Sequence, residues 1–186
     1  RLHVYAPRVV VGVGSNVEVG ANVTVFHLGD TNNAWLSPNI KWKFFSNDKG
    51  VAAAVGALVY TPLNYRDGVD TAPLVYANLS KKVDNAYGPR FHVGPYSLIG
   101  TDTALGVTGA RAGVLAGYEQ PIHPKVSIVA DWLSGKNGFG YFTPGVSITL
   151  PGSGLLNAGY SIGNDSWENS NATHNRLLFV YYGVTF

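Results

Sequence analysis

Hydrophobic and polar residues alternate along nearly the whole chain with a period of two. Two clear stretches are Val17–Val25 and Val126–Trp132. Successive side chains of a β-strand point to opposite faces, so this period predicts strands with one apolar face. Helical stripes at i, i+3 and i+4 are absent from the sequence, as are convincing capping boxes. The pattern therefore predicts an all-β protein.

Turn-forming residues divide the pattern into eleven predicted strands, each of about 8–12 residues, the length a tilted strand needs to cross the hydrocarbon layer. They span residues 3–13, 17–27, 35–46, 51–61, 73–82, 90–99, 111–120, 125–134, 139–150, 154–163 and 176–186. No linker or repeated motif separates them. We therefore expect one domain, 1–186.

The predicted connections alternate in length along the chain. The longer ones are 28–34, 62–72, 100–110 and 164–175, with 135–138 modest and 83–89 intermediate. The short ones are 14–16, 47–50, 121–124 and 151–153. Long loops at one end and tight turns at the other are typical of outer-membrane barrels, and they argue against a soluble sandwich or a lipocalin-like barrel.

Aromatic residues on the predicted outward face fall near both ends of the strands. Toward the long loops lie Tyr5, Trp132, Phe142 and Tyr160, and toward the short turns lie Phe44, Phe91, Tyr118 and Phe186. Aromatic rings concentrate at the two membrane–water interfaces. We interpret these residues as two aromatic girdles.

The C-terminal strand is apolar at every second position and ends in phenylalanine, through Leu178, Val180, Tyr182, Val184 and Phe186. It resembles the last strand of bacterial outer-membrane β-barrel proteins. The resemblance implies a porin-like or channel-like protein of a Gram-negative outer membrane, in contact with lipid and lipopolysaccharide. It also implies that the barrel-assembly machinery reads this strand and that its end lies in the periplasm.

Strand parity then raises a question about the start of the chain. Counting back eleven strands from a periplasmic C-terminus leaves Arg1 outside the cell. Bacterial barrels normally have an even number of strands. We expect a transmembrane antiparallel up-and-down barrel of about twelve strands, with one strand preceding Arg1. A miscounted strand near 81–90 would instead give ten.

Composition excludes several other classes. Charged residues make up 13% of the chain, about half the usual share, and the net charge is +2 with scattered Lys and Arg. Nucleic acid is therefore not an expected partner. The longest apolar stretch, Val51–Tyr60, is well short of the roughly 20 residues of a membrane-spanning helix. Without cysteine, and with five dispersed histidines, the sequence predicts no metal site or cofactor.

Charged residues at mid-membrane depth belong on the inward face, because a lipid-facing Lys or Arg costs about 2–4 kcal/mol. Parity predicts these pore-lining residues: Glu18, Lys41, Lys43, His92, Arg111, Glu119 and Asp131. It adds the uncharged residues Tyr76, Asn78, Tyr96, Tyr141, Asn157, Ser161 and Tyr181. The predicted hairpins place Glu18 opposite Lys43 and Asp131 diagonal to Arg111, as favourable cross-strand pairs.

These residues lead us to expect passive diffusion of small solutes through a charged lumen. The charges that set which solutes pass would be those of Glu18, Lys43, Arg111 and Asp131. The alternative is a closed-lumen scaffold acting through its extracellular loops. In either case an Ala-rich outer face around Ala53 and Ala57 predicts a neighbouring outer-membrane protein.

An enzyme comes third in this ranking, and we expect none. Gly159–Gly163 matches G-x-S-x-G, but it lies within a strand and no helix follows it. Outer-membrane lipid hydrolases use a Ser and a His on neighbouring strands. The nearest match here is His27 with Ser37. These two residues do not clearly lie at the same depth along the strands and on the same face of the sheet.

Overall fold

The computed structural model describes residues 2–28, 31–64, 71–100, 110–135, 137, 139–164 and 176–184. Their strands are β1 Leu2–Tyr5, β2 Arg8–Val13, β3 Val17–Leu28, β4 Thr31–Ser46, β5 Val51–Pro62, β6 Ala72–Lys82, β7 Arg90–Leu98, β8 Ala112–His123, β9 Val126–Leu133, β10 Tyr141–Leu150, β11 Gly154–Gly163 and β12 Arg176–Val184. These residues include no helix, which confirms the all-β prediction. Accordingly, no helix in the described ranges is long and apolar enough to cross a membrane.

All strands belong to one antiparallel sheet in which each strand from β3 onward pairs with the next along the chain. Strands β1 and β2 both pair with β3, and they form one strand interrupted at Ala6 and Pro7. Pro7 has no N–H to donate, and its carbonyl accepts from Val23 N at 3.0 Å. The described sheet is therefore an up-and-down meander of eleven strands. This count confirms the prediction, and the alternative of ten is wrong.

The connections define two ends of the sheet. The turn-side end holds the segments 14–16, 47–50, 83–89, 124–125 and 151–153, and the loop-side end holds those after β3, β5, β7, β9 and β11. Gly14 and Asn16 have positive φ of 61° and 67°, so the first turn uses residue types that tolerate the left-handed region. One predicted loop is wrong: Leu28 pairs with Thr31, so a tight hairpin replaces the long segment 28–34.

The two faces of the sheet differ in chemistry. Exposed apolar side chains cover the outward face on almost every strand, including Val11, Val19, Ile40, Trp42, Val55, Leu79, Val93, Val114, Ile128, Val146, Leu178 and Val180. Charged and amide side chains from most strands lie on the inward face, where they line cavities. Exceptions on the outward face are Lys81, Gln120 and Arg176. This arrangement is the reverse of a soluble barrel, whose apolar face points inward.

The sheet curves so strongly that its first and last strands line the same cavity. Arg8 of β2 and Tyr181 of β12 lie on this cavity together with His92 of β7, in the middle of the meander. Among the described residues, β12 forms no ladder with β1 or β2, so the sheet is not closed. The fold shown is therefore a curled meander with two edge strands.

Apolar packing inside the sheet is concentrated at the loop-side end. Leu74, Tyr96 and Leu98 are its buried centre, each at most 5% exposed. Around them pack the partly buried residues Leu58, Tyr60, Tyr76, Leu115, Leu133 and Phe139. Burying this apolar surface is favourable by roughly 25 cal/mol per Å², so we expect this cluster to be the most strongly stabilised part of the interior.

Inward-facing aromatic rings lie over glycines of the neighbouring strand. Tyr96 pairs with Gly113, where an added Cβ would lie 2.8 Å from the Tyr96 ring. Phe179 pairs with Gly159, where an added Cβ would lie 2.6 Å from that ring. Tyr76 covers its partner Gly56 in the same way. The glycines therefore leave the space that the rings occupy inside the curved sheet.

Candidate functional site: the inward face of the sheet

Three cavities lie along the inward face, with volumes of about 470, 610 and 620 Å³. We call them the middle, turn-side and far cavities. The turn-side cavity is lined by β2–β7, and the far cavity by residues of β8–β11 and the turns beside them. His92 borders the middle and turn-side cavities, whereas Glu119 and Val129 border the middle and far cavities. The cavities are therefore neighbours in one interior.

The turn-side cavity is rich in cations. Lys41, Lys43, Lys82 and Arg90 line it, with Glu18 as the carboxylate in its wall. Lys41 Nζ lies 2.6 Å from Glu18 Oε2, and both side chains are about half exposed, at 40% and 47%. The pair forms because β3 and β4 place Glu18 directly opposite Lys41.

This register makes the predicted Glu18–Lys43 pair wrong. The hairpin after β3 is tight, with Leu28 opposite Thr31, so the register shifts by two positions from that of the predicted loop. Parity is unaffected by a shift of two, and Lys43 still lines the turn-side cavity. Instead, the backbone N–H of Lys43 donates to Asn16 O at 2.9 Å.

The middle cavity combines charges of both signs with amides and rings. Arg8 and Asn22 contribute from one edge of the sheet, Glu119 and Asp131 from β8 and β9, and Asn157, Phe179 and Tyr181 from the other edge. Arg90 Nη1 lies 3.7 Å from Glu119 Oε2, across the β7–β8 ladder. A polar solute entering this cavity would meet donors and acceptors on several walls.

The predicted Asp131–Arg111 pair is also wrong. Asp131 lies opposite Gly117, whereas Arg111 precedes β8 at the loop-side end, six positions before Gly117. Its Nη1 donates to Gly100 O at 2.8 Å. Asp131 instead lies near His92: an added Cβ at Gly117 would be 3.0 Å from Asp131 Oδ1 and 3.4 Å from His92 Cβ.

His92 is the link between the middle and turn-side cavities. It pairs with Gly117 on one side and Ser80 on the other. Its Nδ1 lies 3.3 Å from Asn78 Nδ2, an amide that also faces the turn-side cavity. Asn78 Oδ1 is buried with no hydrogen-bond partner among the described residues. One polar acceptor is thus left without a partner at the boundary of the cavities.

The segment between β9 and β10 folds against the loop-side interior. Asn137 is 1% exposed, and its Nδ2 donates to Tyr96 Oη at 3.0 Å and to Ala110 O at 2.6 Å. The Phe139 ring lies 4.8 Å from the Tyr60 ring of β5. Tyr96 Oη in turn donates to Ser134 O. These contacts fill part of the loop-side interior.

Other polar residues from the sequence analysis lie on the inward face at different depths. Ser161 Oγ is 2.9 Å from Thr143 Oγ1, between β10 and β11. Tyr141 is half-buried and begins β10. Gly159–Gly163 is ordinary strand, so Ser161 has no strand-to-helix elbow.

Three inward-facing cations were missed by the sequence reasoning: Arg8, Lys82 and Arg90. Parity alone finds each of them, since each has the same parity as its inward neighbours. Each of them begins or ends a strand. Arg8 lies opposite Asn22, Lys82 lies opposite Arg90, and Arg90 lies opposite Glu119. These pairings place the three cations on the cavities.

The described part of the chain was expected to hold no metal site, and its His, Asp and Glu residues are dispersed. No group of three or more His, Cys, Asp or Glu that could hold a metal ion occurs there. Ser37 is buried at 1% exposure, and its candidate partner His27 has a side chain outside the described set. Phe186 of the predicted C-terminal signature likewise lies outside the described residues.

Comparison with known proteins gives no relative for this chain. No family model matches it, and neither a curated protein nor a solved structure matches significantly. The class that the fold defines is an all-β protein built from one antiparallel meander.

Proposed function

We propose that this chain forms a transmembrane β-barrel of the bacterial outer-membrane type and that its lumen conducts small polar solutes by passive diffusion. The observation that carries the proposal is the inverted sheet, apolar outside and charged inside. The exposure of the sheet, its aromatic rings, its edge strands and its cavities each support the proposal. Its porin-like assignment, location and assembly partners follow from the same proposal.

The outward face suits lipid and is poorly suited to water. Val9, Ile40, Leu79, Val93 and Leu178 are each between 49% and 73% exposed. Soluble monomers rarely expose contiguous apolar patches larger than a few hundred Å². A face of this kind on nearly every strand is favourable when lipid tails cover it.

Aromatic side chains on that face support two membrane interfaces. Trp132, Phe142 and Tyr160 are exposed toward the loop-side end. Phe44 and Phe91 are exposed toward the turn-side end, and Phe91 packs on Tyr118 with ring centroids 5.3 Å apart. Interfacial belts of rings are typical of such barrels. Lipid and lipopolysaccharide are the expected surroundings.

The edge strands support closure by one further strand. In a meander of eleven strands the first and last run in the same direction. An added antiparallel strand would pair with both edges at once and complete a barrel of twelve. In a bilayer, unpaired edge N–H and C=O groups are costly, since no water satisfies them. Closure therefore accompanies membrane insertion in this proposal.

The last strand supports the expected assembly route. Leu178, Val180, Tyr182 and Val184 all project outward and are exposed. This leaves the apolar C-terminal signature on the lipid side, where an assembly partner could contact it. The barrel-assembly machinery is the partner that the resemblance implies.

Open space along the inward face supports solute passage. Three adjoining cavities of 470 to 620 Å³ lie on the inward face. The Tyr60–Phe139 contact narrows one side of the loop-side interior. A closed-lumen scaffold is the second candidate, and this apolar packing is the observation that favours it.

Single-channel conductance of the refolded chain in a planar bilayer tests the proposal. We expect steady conductance from the wild type and a larger value for Phe139→Ala, since that ring narrows the interior. Phe142→Ala removes a ring of the outward face and is the matched control, with conductance unchanged. Silence from folded, heat-modifiable wild type and Phe139→Ala proteins would overturn the channel in favour of the scaffold.

A further inference from the structure

The turn-side cavity has more positive charge than its carboxylates can balance. Glu18 pairs with Lys41 at 2.6 Å, and Glu119 lies 3.7 Å from Arg90. Among the described residues, the ammonium groups of Lys43 and Lys82 have neither an ion-pair nor a hydrogen-bond partner. Two cations therefore face the same cavity unbalanced.

The register brings two like charges directly together. Lys82 of β6 is opposite Arg90 of β7 on the inward face. Like charges directly opposite each other on a sheet are destabilising. Glu119 balances the charge of Arg90 only, because it lies on β8 and β7 separates it from Lys82. A negative ligand between the strands would offset this repulsion.

The size of the cavity and the positions of its cations also suit an anion. Its volume of about 610 Å³ leaves room for a small hydrated ion. Lys43 contributes from the β4 wall, while Lys82 and Arg90 contribute from the β6–β7 wall. Ammonium groups and a guanidinium are the groups that bind phosphate and carboxylate oxygens most strongly.

We propose that the turn-side cavity is a binding site for small oxyanions of the phosphate or carboxylate class, held between Lys43, Lys82 and Arg90. This proposal rests on the proposed function to the extent that the cavity opens to a hydrated lumen. It makes the lumen anion-preferring, with the site as its entrance at the turn-side end.

Phosphorus-31 line broadening of inorganic phosphate by the refolded chain in detergent micelles tests the site directly. We expect broadening with the wild type and its loss in the double variant Lys43→Gln/Lys82→Gln. The matched control is Lys81→Gln, one residue away on the opposite face, where Nζ donates to Lys49 O. This control removes one charge but should retain broadening.

The site would be overturned by the absence of broadening with a folded wild type, or by equal broadening with the double variant. Heat-modifiability on gels checks that each variant is folded. If Lys81→Gln loses broadening as fully as the double variant, the effect is one of overall charge and the site is wrong.

Reversal potentials in a KCl gradient separate this proposal from the channel itself. We expect chloride preference in the wild type, a shift toward potassium in Lys43→Gln/Lys82→Gln, and none in Lys81→Gln. Conductance without phosphate binding would contradict the proposed site and support the channel. Phosphate binding without conductance would support the proposed site and contradict the channel.

Discussion

The loop-side and turn-side interiors line the same sheet but are filled in different ways. At the loop side, Leu74, Tyr96 and Leu98 are buried and an inward-folded segment covers them. At the turn side, half-exposed charges such as Lys41 and Glu18 surround open cavities. One end resembles a protein core, and the other resembles a solvated vestibule.

The difference teaches where stability and selectivity reside. Packed apolar and hydrogen-bonded groups lose much when truncated, because neighbours cannot refill the space. Exposed charges contribute little to folding, since water screens them. We therefore expect loop-side substitutions to act on the free energy of unfolding, and turn-side substitutions to act on which ions enter.

The largest expected effect is at Tyr96, which is 2% exposed and donates to Ser134 O. Tyr96→Ala should lower the free energy of unfolding by about 3–5 kcal/mol, as for other buried aromatic truncations. Urea unfolding in micelles measures this. Tyr181→Ala, at a cavity-lining tyrosine that is 38% exposed, is the control and should cost much less. If both variants lost the same free energy of unfolding, the two interiors would not differ in how strongly they stabilise the fold.

Gly113 tests the close approach of the Tyr96 ring. An added Cβ would lie 2.8 Å from Tyr96 Cε1 and 2.5 Å from Ser134 Oγ. Gly113→Ala should therefore destabilise by about 1–3 kcal/mol through overpacking. Gly12, a turn-side glycine of β2 with nothing within 4 Å, gives the matched control, Gly12→Ala. A Gly113→Ala protein as stable as the Gly12→Ala protein would show that the loop-side interior is loosely packed around Gly113.

Asn137 tests whether the inward-folded segment is held by hydrogen bonds. Its side chain donates to Tyr96 Oη and Ala110 O. Asn137→Ala leaves these buried groups short of a donor, which should cost about 1–2 kcal/mol. It should also speed hydrogen exchange at Phe139 N, which donates to Asn137 Oδ1 at 2.9 Å. Unchanged exchange at Phe139 would mean that Asn137 does not anchor the segment.

Sequence reasoning succeeded where the period of two was enough. It predicted the number of strands and most of their bounds, because alternation and turn residues are local signals. The inverted faces follow from the same parity, as Ile40 outside and Lys41 inside illustrate. What parity cannot give is the register between strands.

Register depends on how each hairpin closes, and the sequence was misread at two hairpins. Between β8 and β9, the strand continues to His123 instead of ending at residue 120, which places Asp131 opposite Gly117 and away from Arg111. The other is the hairpin between β3 and β4. There a longer connection was predicted over 28–34, whereas Thr31 already pairs with Leu28. That shift replaced Lys43 by Lys41 as the partner of Glu18. The inward fold of Asn137 could not be predicted either, because it depends on contacts with Tyr96 and Ala110, far away in sequence.

The smallest expected effect is the coupling between Glu18 and Lys41 on the turn side. Their side chains are 47% and 40% exposed, so the pair should contribute only about 0.2–1 kcal/mol to stability. A double-mutant cycle of Glu18→Gln and Lys41→Gln in urea measures this coupling, which added salt should weaken. The control cycle pairs Glu18→Gln with Lys43→Gln and should give none. Stronger coupling to Lys43 would mean that the β3–β4 register is shifted, and a coupling to Lys41 of several kcal/mol would mean that the turn-side interior excludes water as the loop-side interior does.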